Sequence, residues 1–198
     1  ISNGKYSING GAFISTAGIV KTGDKIKVQH TSSANYAAKV DTVLTIGGVV
    51  DTFSSTTVAK DTTPDAFTFT DQTGVALSAV VTSNEITVSG INAPSAISVT
   101  GGKYSINNGA FTATAGTVKI GDKVKVQHTA SASFATKVDT VLMIGGVSDT
   151  FSSTTAAKDT TPNAFTFTDQ ANVALSAVVT SNEITVAGIN APTVISIS

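Results

Sequence analysis

The sequence predicts an all-β fold of tandem antiparallel β-sandwich modules, each of about 98 residues. Three observations carry that prediction. Val, Ile, Thr and Ser make up nearly half of the chain, and the β-branched residues among them favour strands over helices. Apolar residues alternate with polar ones at period two. The chain also repeats itself at a constant offset of 98 residues.

The repeat is the most direct of these signals. Lys5-Tyr6-Ser7-Ile8-Asn9 recurs as Lys103-Tyr104-Ser105-Ile106-Asn107, and Lys39 to Leu44 recurs as Lys137 to Leu142. Val75 to Val88 recurs unchanged as Val173 to Val186. No insertion or deletion interrupts the alignment, and roughly three quarters of the aligned positions are identical. Ser198 aligns with Thr100, so the 198 residues read as close to two periods of a longer pattern.

Within one period the alternation places strands near 66–70, 75–81, 85–91, 96–100, 103–107 and 122–129, followed by a hairpin of 137–146 and 147–155. Phe67 and Phe69 share a face, as do Ile86 and Val88, Ile97 and Val99, and Tyr6 and Ile8. Ile26, Val28 and His30 share one face of their strand, with Lys25, Lys27 and Gln29 on the other. The hairpin has the strongest signal: Val40–Ile46 and Val49–Ser54 flank Gly47-Gly48, and glycines supply the positive φ that a two-residue turn needs. Pairing Ile46 with Val49 groups Leu44, Ile46, Val49 and Phe53, but it also turns Asp51 inward. Either a bulge shifts Asp51 or backbone donors satisfy its carboxylate. Short strands with turns every 8–12 residues fit a sandwich of immunoglobulin or fibronectin III type, both sheets antiparallel.

Two Pro-containing stretches compete as the module boundary. The more polar is Lys60-Asp61-Thr62-Thr63-Pro64-Asp65, with its copy at Lys158–Asn163; the other is Asn92-Ala93-Pro94. The first gives an incomplete module over 1–60, holding later strands, a complete module over 61–158, and the first strands of a further module over 159–198. In either frame the N-terminal part lacks sheet material that the C-terminal part has in excess. An incomplete sandwich exposes its core and its strand edges, and a strand donated by a neighbouring chain repairs both. Such a contact is head-to-tail and propagates. The expected partners are therefore copies of the chain or neighbouring modules of one array.

The remaining composition excludes much else. Twelve basic and thirteen acidic residues give a net charge of −1, no electrostatic footprint for nucleic acid. No apolar run approaches a membrane span of about 18 residues, and no charged-then-apolar leader opens the chain. With no Cys there is no thiol nucleophile, disulfide framework or Cys zinc site. His30 and His128 fall one period apart, each alone in its module, which reads as a structural, hydrogen-bonded histidine rather than a catalytic one. No Ser/His/Asp set has supporting context, and no enzyme activity or cofactor is expected. The one metal candidate is a calcium site at Asp61, Asp65 and Asp71; it has no Asp-x-Asp-x-Asp run, and Asn163 replaces Asp65 in the copy. Tyr6, Tyr36 and Tyr104 are candidates for a glycan-stacking platform, although Tyr36 becomes Phe134 in the copy and the chain has no Trp.

The string Phe67 to Ser78, with Ile86 to Ile91, resembles repeat modules of large bacterial secreted and cell-surface proteins. So do Lys103–Asn107 and Thr45–Val49. That resemblance covers essentially the whole chain. It implies immunoglobulin-like or fibronectin III-like modules in tandem, an extracellular or cell-surface location, and a role in filaments, stalks or adhesin shafts. It also implies two lesser possibilities, an accessory module that binds polysaccharide and calcium at interdomain linkers. The resembling motifs are strand and turn patterns, so they specify architecture and not a reaction.

Overall fold

The computed structural model describes residues 1–197, which form thirteen strands and no helix. Its contacts divide the chain into two compact units, Ile1–Thr62 with Gly90–Ala93, and Thr63–Ser89 with Pro94–Ser198.

The first unit holds two separate two-stranded sheets. Strands β1 (Lys5–Ile8) and β2 (Ile26–Gln29) pair antiparallel, with Tyr6 opposite Val28. Strands β3 (Lys39–Ile46) and β4 (Val49–Thr56) form the hairpin, with Ile46 opposite Val49 and Thr42 opposite Phe53. Gly47 and Gly48 have φ of 55° and 86°, as the tight turn requires.

The second unit is fuller. Its strands are β5 (Gln72–Val75), β6 (Val80–Thr82), β7 (Ile86–Thr87), β8 (Ser95–Thr100), β9 (Lys103–Ile106), β10 (Gly116–Val118), β11 (Lys123–Thr129), β12 (Lys137–Ile144) and β13 (Val147–Thr155). One sheet runs β10-β8-β12-β13-β5. The other is built on β11, with β9 along one edge and β6 and β7 end to end along the opposite edge. Between β6 and β7, Ser83 takes over the ladder: its N–H donates to the Val126 carbonyl at 2.9 Å and its Oγ accepts the Val126 N–H at 3.0 Å. Ile97, Leu142, Ile144 and Phe151 of the first sheet are buried, as are Val124 and Val126 of the second. Alternate residues of β11 and of the second half of β12 are thus removed from water, which is consistent with a β-sandwich.

Three local expectations need correction. Residues 66–70 form no strand, because side chains take the amides a ladder would use: Phe69 N–H donates to Asp149 Oδ2 at 2.6 Å and Thr70 N–H to Asn84 Oδ1 at 2.7 Å. The sheets are not wholly antiparallel, since β5 pairs parallel with β13, Ser153 lying opposite Gln72. The long path from β5 through β12 supplies the connection that a parallel pair needs. β10 adds a strand to those that the alternation marks; Gly116-Thr117-Val118 is too short to show alternation and is strand only through its pairing with β8.

Candidate interaction surface

Each histidine sits in the same three-sided seat. His128 Nδ1 lies 2.7 Å from Thr140 Oγ1, Nε2 lies 2.7 Å from Ser153 Oγ, and the ring stacks on Phe151 with centroids 5.0 Å apart. Thr140 donates its own hydroxyl proton to the Gly101 carbonyl. It therefore accepts from His128, which assigns the proton to Nδ1 and makes Nε2 the acceptor for Ser153. Burial lowers the His128 pKa from its ordinary 6.5, and the nearby Asp139 carboxylate opposes that shift. His30 has the same partners one period earlier: Thr42 Oγ1 at 2.7 Å, Ser55 Oγ at 2.6 Å and Phe53 at 4.9 Å. Every polar atom of these rings is occupied by a hydroxyl, an arrangement that organises a core.

The two seats differ in what covers them. Phe151 is 0% exposed, whereas Phe53 is 49% exposed. In the second unit Phe69 stacks edge-on against Phe151 at 6.4 Å, and its N–H is held by Asp149. Asp71 Oδ1 accepts the Ser152 N–H at 2.8 Å, a reciprocal bond one strand over. The inward-facing aspartate of the hairpin is thus satisfied by a backbone donor, with no bulge between β12 and β13. Asp51, its counterpart, accepts only the adjacent Thr52 N–H at 2.8 Å and is exposed.

A second opening lies beside β3. Ala17 to Val20, Tyr6 and Leu44 to Gly47 line a cleft of about 410 Å³. In the second unit the corresponding space is filled by β8: Ile97, 1% exposed, lies between Gly116 of β10 and Ile144 of β12. Residues 18–20 correspond to β10 and form no strand where no β8 lies beside them.

Residues 159–197 are the converse case. They contain no strand, although Val173–Val186 has the sequence of Val75–Val88. Ile195 is 92% exposed, and Phe167, Leu175, Val178 and Val186 are also exposed. Yet the segment keeps its local bonds. Thr168 N–H donates to Asn182 Oδ1, Gln170 Nε2 to the Thr180 carbonyl, and Asp159 N–H to Asn190 Oδ1, each at 2.7 Å. Each has a counterpart between the same residues one period earlier. Phe165 and Phe167 meet edge-on at 5.8 Å, as Phe67 and Phe69 do at 6.0 Å.

The other candidates are dispersed. Among the described residues no group of three or more His, Cys, Asp or Glu could hold a metal ion, so Asp61, Asp65 and Asp71 are not brought together as one. Asp71 is engaged with Ser152. Tyr6 and Tyr104 are buried, with hydroxyls donating to the Thr16 and Thr114 carbonyls at 2.9 Å. Tyr36 is exposed and donates to the Asn92 carbonyl, so the three tyrosines form no exposed row. The surface that sequence reading did not locate is the cleft beside β3, because residues 18–20 carry no local mark of a missing neighbour. No family model, curated protein or solved structure matches this chain.

Proposed function

We propose that this chain is a structural repeat segment of an extracellular bacterial filament, stalk or adhesin shaft. In this reading its immunoglobulin-like modules stand in head-to-tail series and complete one another by strand donation. One observation carries it: the same repeat sequence is covered in the second unit, open in residues 1–62, and without a partner sheet in residues 159–197. Complementary open surfaces at the two ends of a repeat are what a linear, propagating assembly uses. The low charge and the Ser- and Thr-rich strand faces suit a passive shaft, and the hydroxyl-saturated histidine seats suit a scaffold.

Negative-stain microscopy with light scattering over a concentration series tests this. The expected result is fibres with a regular axial repeat and a mass that rises with concentration. A chain that stays a monodisperse monomer at every concentration, and is retained on insoluble glycan, overturns it.

A further inference from the structure

We propose that residues 165–196 of a second copy of this chain fill the open face of residues 1–62, in the register that residues 67–98 adopt over residues 103–156. The inference rests on the array reading and specifies its contact. The chain carries its own template, because both the covering segment and the covered one recur at an offset of 98.

Transferred by that offset, each buried contact of the second unit gains a counterpart between copies. Phe167 lies over Phe53 and His30, as Phe69 lies over Phe151. Its N–H donates to Asp51, as Phe69 N–H donates to Asp149. Asp169 accepts the Ser54 N–H, as Asp71 accepts that of Ser152. Ile195 enters the cleft beside β3, as Ile97 lies between β10 and β12, and residues 18–20 then become its second neighbouring strand.

Charge agrees with this register. In the second unit Glu85 pairs with Lys123 at 3.0 Å and Lys125 at 3.3 Å. The same offset sets Glu183 of the donor between Lys25 and Lys27 of the acceptor. The donor is also preorganised, since the bonds from Thr168, Gln170 and Asp159 are in place before any partner arrives. The acceptor already has one native strand contact, Ser2 opposite Val43, where β8 begins its pairing with β12 at Thr100 opposite Val141. Ser196 of the donor then falls opposite Thr45, two residues along β3 from the Ser2–Val43 bridge.

A disulfide reads the register directly, because the chain has no cysteine of its own. Met143 opposite Ser98 on β12 and β8 transfers to Thr45 opposite Ser196. Both are exposed in the free chain, so T45C/S196C leaves the cores untouched. Under mild oxidation the full-length double variant is expected to form intermolecular Thr45–Ser196 links, seen as a ladder and assigned by peptide mapping. V50C/S196C, whose residue 50 lies opposite Thr45 on β4 and therefore one strand further from the donor, is expected to remain at least tenfold less linked. A monomer closed by its own disulfide, free thiols in T45C/S196C, or equal linking in both variants overturns the proposal. Fibres that form while the thiols stay free overturn the register and leave the array reading standing. A wild-type chain that never assembles removes both.

Discussion

Asp149 accepts the backbone N–H of Phe69 at 2.6 Å, across 80 residues of sequence. One carboxylate thereby fixes the covering segment to the hairpin and satisfies the side chain that the hairpin register turns inward. Its counterpart Asp51 has no such donor in the free chain.

Asp149→Ala leaves the Phe69 amide without its acceptor. Loss of a charge-assisted bond of this kind costs about 1–3 kcal/mol. Asp51→Ala is expected to cost less than about 0.5 kcal/mol in the dilute chain, as for exposed surface changes. Amide hydrogen exchange at β12 reads the first, and at β3 the second. Equal protection losses in the two variants would contradict the assigned role.

Phe151→Ala empties a fully buried site and is expected to cost about 3–5 kcal/mol. Phe53→Ala removes a ring that is half exposed, and in the monomer it is expected to cost about 1 kcal/mol or less. Under conditions where the chain assembles, the Phe53 variant should become the more damaging of the two to fibre mass. Sedimentation before and after dilution separates these regimes.

Acid acts first through His128. Its pKa is lowered by burial, so between its folded and unfolded values the unfolded chain binds more protons. Stability contributed by the neutral ring is complete above about pH 6.5 and falls as pH drops below that ordinary value. The carboxylates of Asp122, Asp139 and Glu85 titrate in the next window. The Lys119 backbone amide, the Ser152 hydroxyl and the Lys123 ammonium, respectively, hold them below their ordinary values. Their contribution is present above about pH 4 and is lost below it. Hydrogen exchange of β11 at pH 7.5, 6.0 and 5.0 is expected to show protection decreasing in that order. His128→Gln should flatten the change across that range.

Calcium and chelator are expected to leave the melting temperature within about 1 °C, since no acidic cluster is assembled among the described residues. A calcium-dependent rise of several degrees would point to a site that forms only between copies.

The hairpins were legible in the sequence because their determinants are local. Gly145 and Gly146, like Gly47 and Gly48, supply positive φ within two residues of the strands they join. The histidine seat was legible as structural from the isolation of His128, but its partners Thr140 and Ser153 were not, being 12 and 25 residues away. The strand expected at 66–70 failed because the alternation of Phe67 and Phe69 records burial and not ladder pairing. Val75–Val88 and Val173–Val186 show the limit most clearly. The same fourteen residues hold strands β6 and β7 in one place and none in the other, so the deciding information lies in β11, outside the segment.

The order of these elements bears on how the chain is made. Translation runs from the N-terminus, so each covering segment leaves the ribosome before the surface it covers. Phe69 emerges 80 residues ahead of Asp149, a wait on the order of 4–16 s at usual elongation rates. During that interval the nascent chain displays a preshaped, unsatisfied segment, and the only completed seat upstream belongs to its own previous repeat or to a neighbouring polypeptide. Within each repeat, synthesis therefore delivers the covering segment first and the seat that holds it last.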